Sequence, residues 1–125
     1  MLNKVMLIGN VGRPPETRTT DGGTTLTRFS LATNRRWTDE SGNRQEQTEW
    51  HQVVAFGRLA EIAGELVVKG RLIYAEGRLH TSSWEDPESG QRHTRTEVIA
   101  DTLLVLDRRP TGAEGAPPVP SEAEA

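Results

Sequence analysis

Three tryptophans stand where strand-like runs give way to polar loops. Trp37 follows Arg35 and Arg36 and precedes "TDESGNR"; Trp50 follows "QEQTE"; Trp84 lies between "HTSS" and "EDPES". Large flat rings among arginines and short polar residues can stack on other flat groups. Every nucleobase has such a face, worth about 1–3 kcal/mol per ring, and a nearby arginine adds cation–π attraction and neutralises phosphate. Trp and Arg are also enriched at protein interfaces, so this pattern alone leaves a nucleic-acid platform and a docking surface both open. The stretch "QTEWHQVVAFG" (47–57) sharpens the question. On a strand Trp50, Gln52, Val54 and Phe56 share one side, and Glu49, His51, Val53 and Ala55 share the other. Neither side is cleanly polar. Core is expected to cover the side of Val53 and Ala55, where His51 by itself reads as an ordinary half-buried histidine, while the side of Trp50 and Phe56 is expected to be open until a ligand covers it.

Other chemistries find little support. His51, His80 and His93 lack metal-ligand spacing. "GNVG" (9–12) lacks the glycine-rich loop with lysine that cradles phosphate, and "DPESG" reads as a solvated hairpin tip and not as an acid–base pair. No catalytic residue, cofactor or metal is expected.

Composition sets the frame for these side chains. The 125 residues, 34% hydrophobic and 26% charged, suit one small domain with a modest core. No cysteine occurs, which fits a reducing compartment, and no apolar run reaches the roughly 20 residues of a membrane span; a cytoplasmic location is expected. The net charge of −3 resides in the tail: Glu114, Glu122 and Glu124 are the only charges beyond residue 109, so residues 1–109 are neutral. Thirteen of the fifteen basic residues are arginine, the type that both stacks on rings and forks onto phosphate.

The elements that must hold the rings follow from periodicity. "NKVMLIGNV", "LTRFSLATNRRW" and the Trp50 stretch read as three strands. "RLAEIAGELVVKG" repeats Leu59, Ile62, Ala63, Leu66 and Val67 at helical spacing, with Gly70 at the expected stop. "RLIYAEGRLHTSSW" and "TRTEVIADTLLVL" supply two more strands, with Gly77 marking a bulge or bend. Polar "DESGNRQ" and "EDPESGQR" read as hairpin tips. Strand, strand, strand, helix, strand, strand is the order of the OB-fold, an all-β five-stranded Greek-key barrel with one helix between strands three and four. Phe29 is expected in the core with Val5, Leu7, Leu31, Val53, Leu72, Ile73, Leu79, Val98, Ile99, Leu103 and Leu104. The domain is expected to span 1–109. Residues 110–125, rich in Pro, Gly, Ala and Glu, cannot offset their ordering entropy by burial and are expected to be disordered.

"NKVMLIGNVGRPPETR", "RFSLATNRRW", "EQTEWHQVVAFGRLAEIA", "KGRLIYAEGRLHTSSW" and "TEVIADTLLVL" together resemble the bacterial-type single-stranded DNA-binding proteins, in order from about Asn3 to Leu106. The resemblance implies an OB-fold assembled as a homotetramer in a nucleoid-associated, cytoplasmic setting. It further implies wrapping of single-stranded DNA without strong sequence preference during replication, recombination and repair. The family's stacking aromatics match Trp37, Trp50, Phe56 and Trp84. Its basic DNA contacts match Arg18, Arg58 and Lys69, with Arg35 a further candidate, and its subunit contacts lie near His51 and Tyr74. Two departures stand out. Glu40, Gln52, Ser82 and Ser83 occupy positions often basic in the family, with Arg35, Arg36, Arg44 and Arg92 as candidate substitutes. The chain closes on "PSEAEA" where the family commonly carries an acidic cluster and an Ile-Pro-Phe-like tip, so docking of replication and repair proteins is in question. A primosomal-type OB subunit that chiefly docks other proteins is the alternative reading.

Overall fold

The computed structural model describes residues 1–107; the segment expected to be disordered, 110–125, lies outside the described residues. Six strands and one helix follow in the order β1 (Val5–Val11), β2 (Glu16–Thr19), β3 (Thr25–Thr38), β4 (Arg44–Phe56), α1 (Gly57–Leu66), β5 (Leu72–Glu85) and β6 (Arg92–Val105). The strands lie in the order β1-β5-β6-β4-β3-β2, and β1 also pairs with β3. That last pairing, Asn10 with Ala32 and Val11 with Leu31, closes β1, β3, β4, β5 and β6 into a five-stranded barrel. The β4–β6 pairing is parallel, as the Greek-key crossover through α1 and β5 requires. The OB-fold is thus as the sequence implies, with the helix between the third and fourth barrel strands. The four-residue β2, an edge strand on β3, is an addition. Its polar sequence "ETRT" is exposed throughout, so no apolar period marks it.

The core forms where the inward residues of the strands converge. Val11, Phe29, Leu31, Val53, Ala55, Ile73, Ala75, Val98 and Ala100 are all buried, and Val5, Leu7 and Leu103 pack against them. Leu79 and Leu104, expected inside, are about half exposed. Leu79 lies on the part of β5 where the burial pattern changes from buried to exposed, and Leu104 points outward from the β5–β6 pair. Gly77 is the bulge its sequence context implies: the register shifts between Glu76 and Gly77, and a Cβ there would meet the Ile99 carbonyl oxygen at 1.9 Å.

Helix α1 rests on the barrel through small residues. Ala60 and Ala63 are buried with the following Val67, whereas Ile62 and Leu66, expected on the buried stripe, are exposed. The buried Thr27 hydroxyl donates to the Ala60 carbonyl at 2.7 Å, and only a small side chain at residue 60 allows so close an approach. The helix ends at Leu66, with the Val67 N–H on the Ala63 carbonyl; Gly70 serves instead in the turn before β5, at φ 86°.

Two hairpins project past the core. β3 and β4 pair without a break from Leu26↔Phe56 to Thr38↔Arg44, and the first seven residues of β4 are exposed. β5 and β6 pair to Glu85↔Arg92, with the first five residues of β6 exposed. These arms carry the tryptophans.

Candidate nucleic-acid interface

Cross-strand partners share a face of a sheet, so the register places the candidate side chains. Trp50 is opposite Ala32, Gln52 opposite Ser30, Val54 opposite Arg28 and Phe56 opposite Leu26. Leu26 in turn is opposite Arg18. A row Arg18–Leu26–Phe56 therefore crosses three strands on the barrel's outer face. Trp50 sits six residues from Phe56 along β4, or roughly 20 Å on an extended strand. Val54 is opposite Ile99, and Ile99 opposite Arg78, so alternation puts His80, Ser82 and Trp84 of β5 on this outer face too.

The rings are open to solvent. Trp50 is 58% exposed, Trp84 46%, Phe56 44% and Trp37 37%, although the aliphatic core is filled without them. An open groove of about 690 Å³ lies beside Trp50 and is lined by Gly12, Arg13, Arg28, Ser30 and Gln52. The outward side of β4 is not uniformly open, however: Val54 is fully buried. Above its level the Arg28 Nε donates to the Glu97 carboxylate at 2.8 Å, joining β3 and β6 across β4.

Arginines accompany the rings. The Arg35 guanidinium lies 4.9 Å from the Trp37 ring centre, and Arg95 lies 5.4 Å from that of Trp84. His93, the cross-strand partner of Trp84, stacks on it at 5.6 Å between centroids and 28° between planes. Arg95 is the partner of Ser82, and Arg92 Nη2 reaches the Ser83 hydroxyl at 3.4 Å. Cations thus stand on β6 beside the two serines of β5.

Not every candidate joins this face. Trp37 and Arg35 keep the same parity as Leu31 and Phe29, the inward residues of β3, so they occupy the opposite side of the β3–β4 arm from Trp50. The tip beyond Trp37 is held by Asp39, whose carboxylate accepts from the Asn43 and Ser41 N–H groups and the Gln45 amide. These bonds, the Asn43 N–H foremost, hold its pKa below the ordinary carboxylate range. Arg58 is exposed in the first turn of α1, two residues after Phe56. Lys69 is exposed in the α1–β5 turn, which is tied to β1 by the Gly70 N–H on the Val11 carbonyl.

The two subunit-contact candidates also part company. His51 is half-buried on the inward side of β4, with Nε2 hydrogen-bonded to Thr33 Oγ1 at 2.9 Å. Tyr74 faces outward on β5 between Ile8 and Leu104, and its hydroxyl donates to Glu76, which also pairs with Lys4. Met6, Ile8 and Leu104 around it are 65%, 57% and 53% exposed. Beyond Asn10 and Val11, β1 pairs only with β5, leaving one edge of its first half open.

Sequence reasoning passed over Gly12, Arg28, Arg95 and Glu97. Each gains its place from a neighbouring strand, a relation that no local pattern carries. Among the described residues no group of three or more His, Asp or Glu side chains is placed to hold a metal ion.

The model of the "Single-strand binding protein family" matches residues 2–106. The "Single-stranded DNA-binding protein 1" of Chlorobaculum tepidum is 46% identical over 111 residues, covering 89% of this chain and 68% of the relative. Among solved structures, the Plasmodium falciparum SSB in complex with single-stranded DNA superposes with a TM-score of 0.78 at 36% identity, covering 86% of this chain and 96% of that one. A deletion mutant of the single-stranded DNA-binding protein from Thermus aquaticus superposes with a TM-score of 0.75 at 39% identity; 86% of this chain matches 52% of that one. The chain belongs to the single-strand binding protein family, a family of binding proteins and not of enzymes.

Proposed function

We propose that this protein binds single-stranded DNA with little sequence preference, by stacking bases on exposed rings while arginines follow the phosphates. The observation that carries the reading is the exposure of Trp50, Phe56 and Trp84 on the outer face of a barrel whose aliphatic core is complete without them. Arg18 and Arg95 belong to the same face; Arg58 follows Phe56 by two residues, and Lys69 precedes Gly70, whose N–H ties its turn to Val11. Trp37 and Arg35, on the other side of the β3–β4 arm, suit a strand that passes over the edge of the arm and meets rings on both sides. The relative from Plasmodium falciparum, described with single-stranded DNA, supports the ligand class.

Assembly as a homotetramer completes the reading. One barrel offers too little surface to wrap a long strand, and the outward Met6, Ile8, Tyr74 and Leu104 form an apolar face beside an open strand edge, which suits pairing with a second copy. His51 is the candidate for a further subunit contact. A role in replication, recombination and repair follows for a protein that coats single strands. The test is a titration with dT oligomers of several lengths at two salt concentrations: tryptophan fluorescence should be strongly quenched. Unchanged fluorescence together with no complex in a gel shift would refute the proposal.

A further inference from the structure

We infer that Arg28, held by Glu97, is a base-reading residue, a hydrogen-bond donor to nucleobase carbonyl oxygens and not a phosphate contact. The inference rests on the DNA-binding reading above and adds to it a preference among bases.

Arg28 occupies the outer face between the levels of Trp50 and Phe56, opposite Val54, and lines the groove beside Trp50. A base lying between those stacked on the two rings passes over it. Its Nε is engaged by Glu97 at 2.8 Å. Glu97 is the guanidinium's one hydrogen-bond partner among the described residues, so the Nη donors are available, and the side chain is 32% exposed.

Glu97 decides what those donors can take. Its side chain is only 7% exposed, and drawing Arg28 away would leave a buried carboxylate without a counter-charge, which is strongly unfavourable. Arg28 therefore cannot swing out to follow the backbone. The pair is also neutral as a unit. A phosphate brought to the Nη edge would feel the nearby carboxylate as well as the guanidinium, and such a pair releases little counterion. A neutral carbonyl oxygen loses far less from that cancellation and still gains a fixed, forked donor. Thymine, cytosine and guanine carry such carbonyls, whose two lone pairs can take both prongs of the fork; an adenine ring nitrogen accepts only one hydrogen bond, and its amino group repels the second donor. The geometry thus favours dT over dA at this subsite through hydrogen bonding, in addition to any difference in stacking.

The test compares dT and dA oligomers of one length across a salt series, for the wild type and for the double variant Arg28→Met/Glu97→Gln, which leaves no buried charge alone. The dT-to-dA affinity ratio should fall by about two- to ten-fold, the range of one net hydrogen bond, while the slope of log K against log[salt] holds. Self-stacking of dA is common to both proteins and cancels in the comparison. Glu97→Gln alone keeps an acceptor for Nε but removes the cancelling charge, and should steepen the slope by about 0.7, the value for one phosphate on a single strand. Should the double variant fold poorly by its melting curve, Arg28→Lys serves: its one ammonium is taken by Glu97 and no fork is left, so the dT preference should fall likewise. A slope reduced by about 0.7 with dT and dA weakened alike would make Arg28 a phosphate contact and overturn the inference. An unchanged ratio and slope, with only a lower melting temperature, would make the pair structural and overturn it too. Failure of the wild type to bind either oligomer is seen before any variant is compared, and would overturn the DNA-binding reading itself along with this inference.

Discussion

The Trp50 ring lies so close over Gly12 that a Cβ at residue 12 would stand 2.3 Å from Cζ3 and 2.8 Å from Cη2. The contact is enforced from the loop side. The Gly12 N–H bonds the Ser30 carbonyl at 3.0 Å and the Arg13 N–H bonds the Ser30 hydroxyl at 3.2 Å, fixing the chain after β1 against β3. Gly12 thus leaves the space in which this half-exposed indole lies.

Gly12→Ala is therefore expected to act through Trp50. Two of the three clashing atoms are the far end of the Trp50 side chain and the third is the Ser30 hydroxyl at 2.8 Å, so the ring should yield with a small shift of Ser30 and the barrel should hold. Affinity for dT oligomers should fall by less than the about 1–3 kcal/mol of losing a whole stacking ring, with a shifted tryptophan emission and little change in melting temperature. Added to Trp50→Ala, Gly12→Ala should cost almost nothing more. Independent losses from the two substitutions would refute the coupling.

Ring and core positions should separate stability from binding. Trp50→Ala and Trp84→Ala remove half-exposed rings and should each weaken dT binding by about 1–3 kcal/mol, leaving the melting temperature nearly unchanged. Leu31→Ala empties a position that is 0% exposed and should destabilise the fold by about 2–5 kcal/mol. Urea melts beside fluorescence titrations check both; a large stability loss from either tryptophan would mean that it is a packing residue.

The contrast between Leu31 and Trp50 also marks what the sequence discloses. Leu31, Phe29, Val53 and Ala55 alternate, and alternation is a local signal, so their burial could be read directly. The open rings beside polar tips were legible for the same reason. Trp37 and Trp50 looked alike in one dimension, but pairing of Leu31 with His51 fixes the parity that sends their rings to opposite sides of the arm. Val54 lies on the outward side and is buried because Arg28 and Glu97, 69 residues apart in sequence, meet across its strand. Ile62 and Leu66 keep the helical period yet stay outside, because Ala60 and Ala63 allow the closer contact. Relations made by closing the barrel have no counterpart in a local pattern.

Assembly can be tested at the outward face of β1. Ile8→Glu replaces a 57% exposed apolar side chain by a charge that a subunit contact would have to desolvate. The variant should fold and scatter light as a smaller species than the wild type. A wild-type protein that is monomeric in light scattering would contradict the tetramer directly.

The same face carries a group whose titration has a defined sign. Lys4 and the Tyr74 hydroxyl both bond the Glu76 carboxylate and hold its pKa below the ordinary range, Lys4 contributing most. A depressed carboxylate favours the folded state above its unfolded pKa of about 4.3, and that contribution is lost as pH falls through the lower folded value. The Lys4 and Tyr74 pKa values are raised, chiefly by their hydrogen bonds to Glu76. Their contributions are complete below the unfolded values of about 10 and are lost as pH rises through the folded ones. The cluster therefore holds from mildly acidic to mildly basic pH and opens at both extremes. It borders Met6 and Ile8, so its acid opening should loosen the proposed subunit contact as well as the barrel edge. Melting temperature and scattering mass followed from pH 7 to pH 3 should fall less steeply in Glu76→Gln than in the wild type, the variant beginning lower at pH 7. Parallel curves for the two proteins would show that this carboxylate takes no part in acid sensitivity.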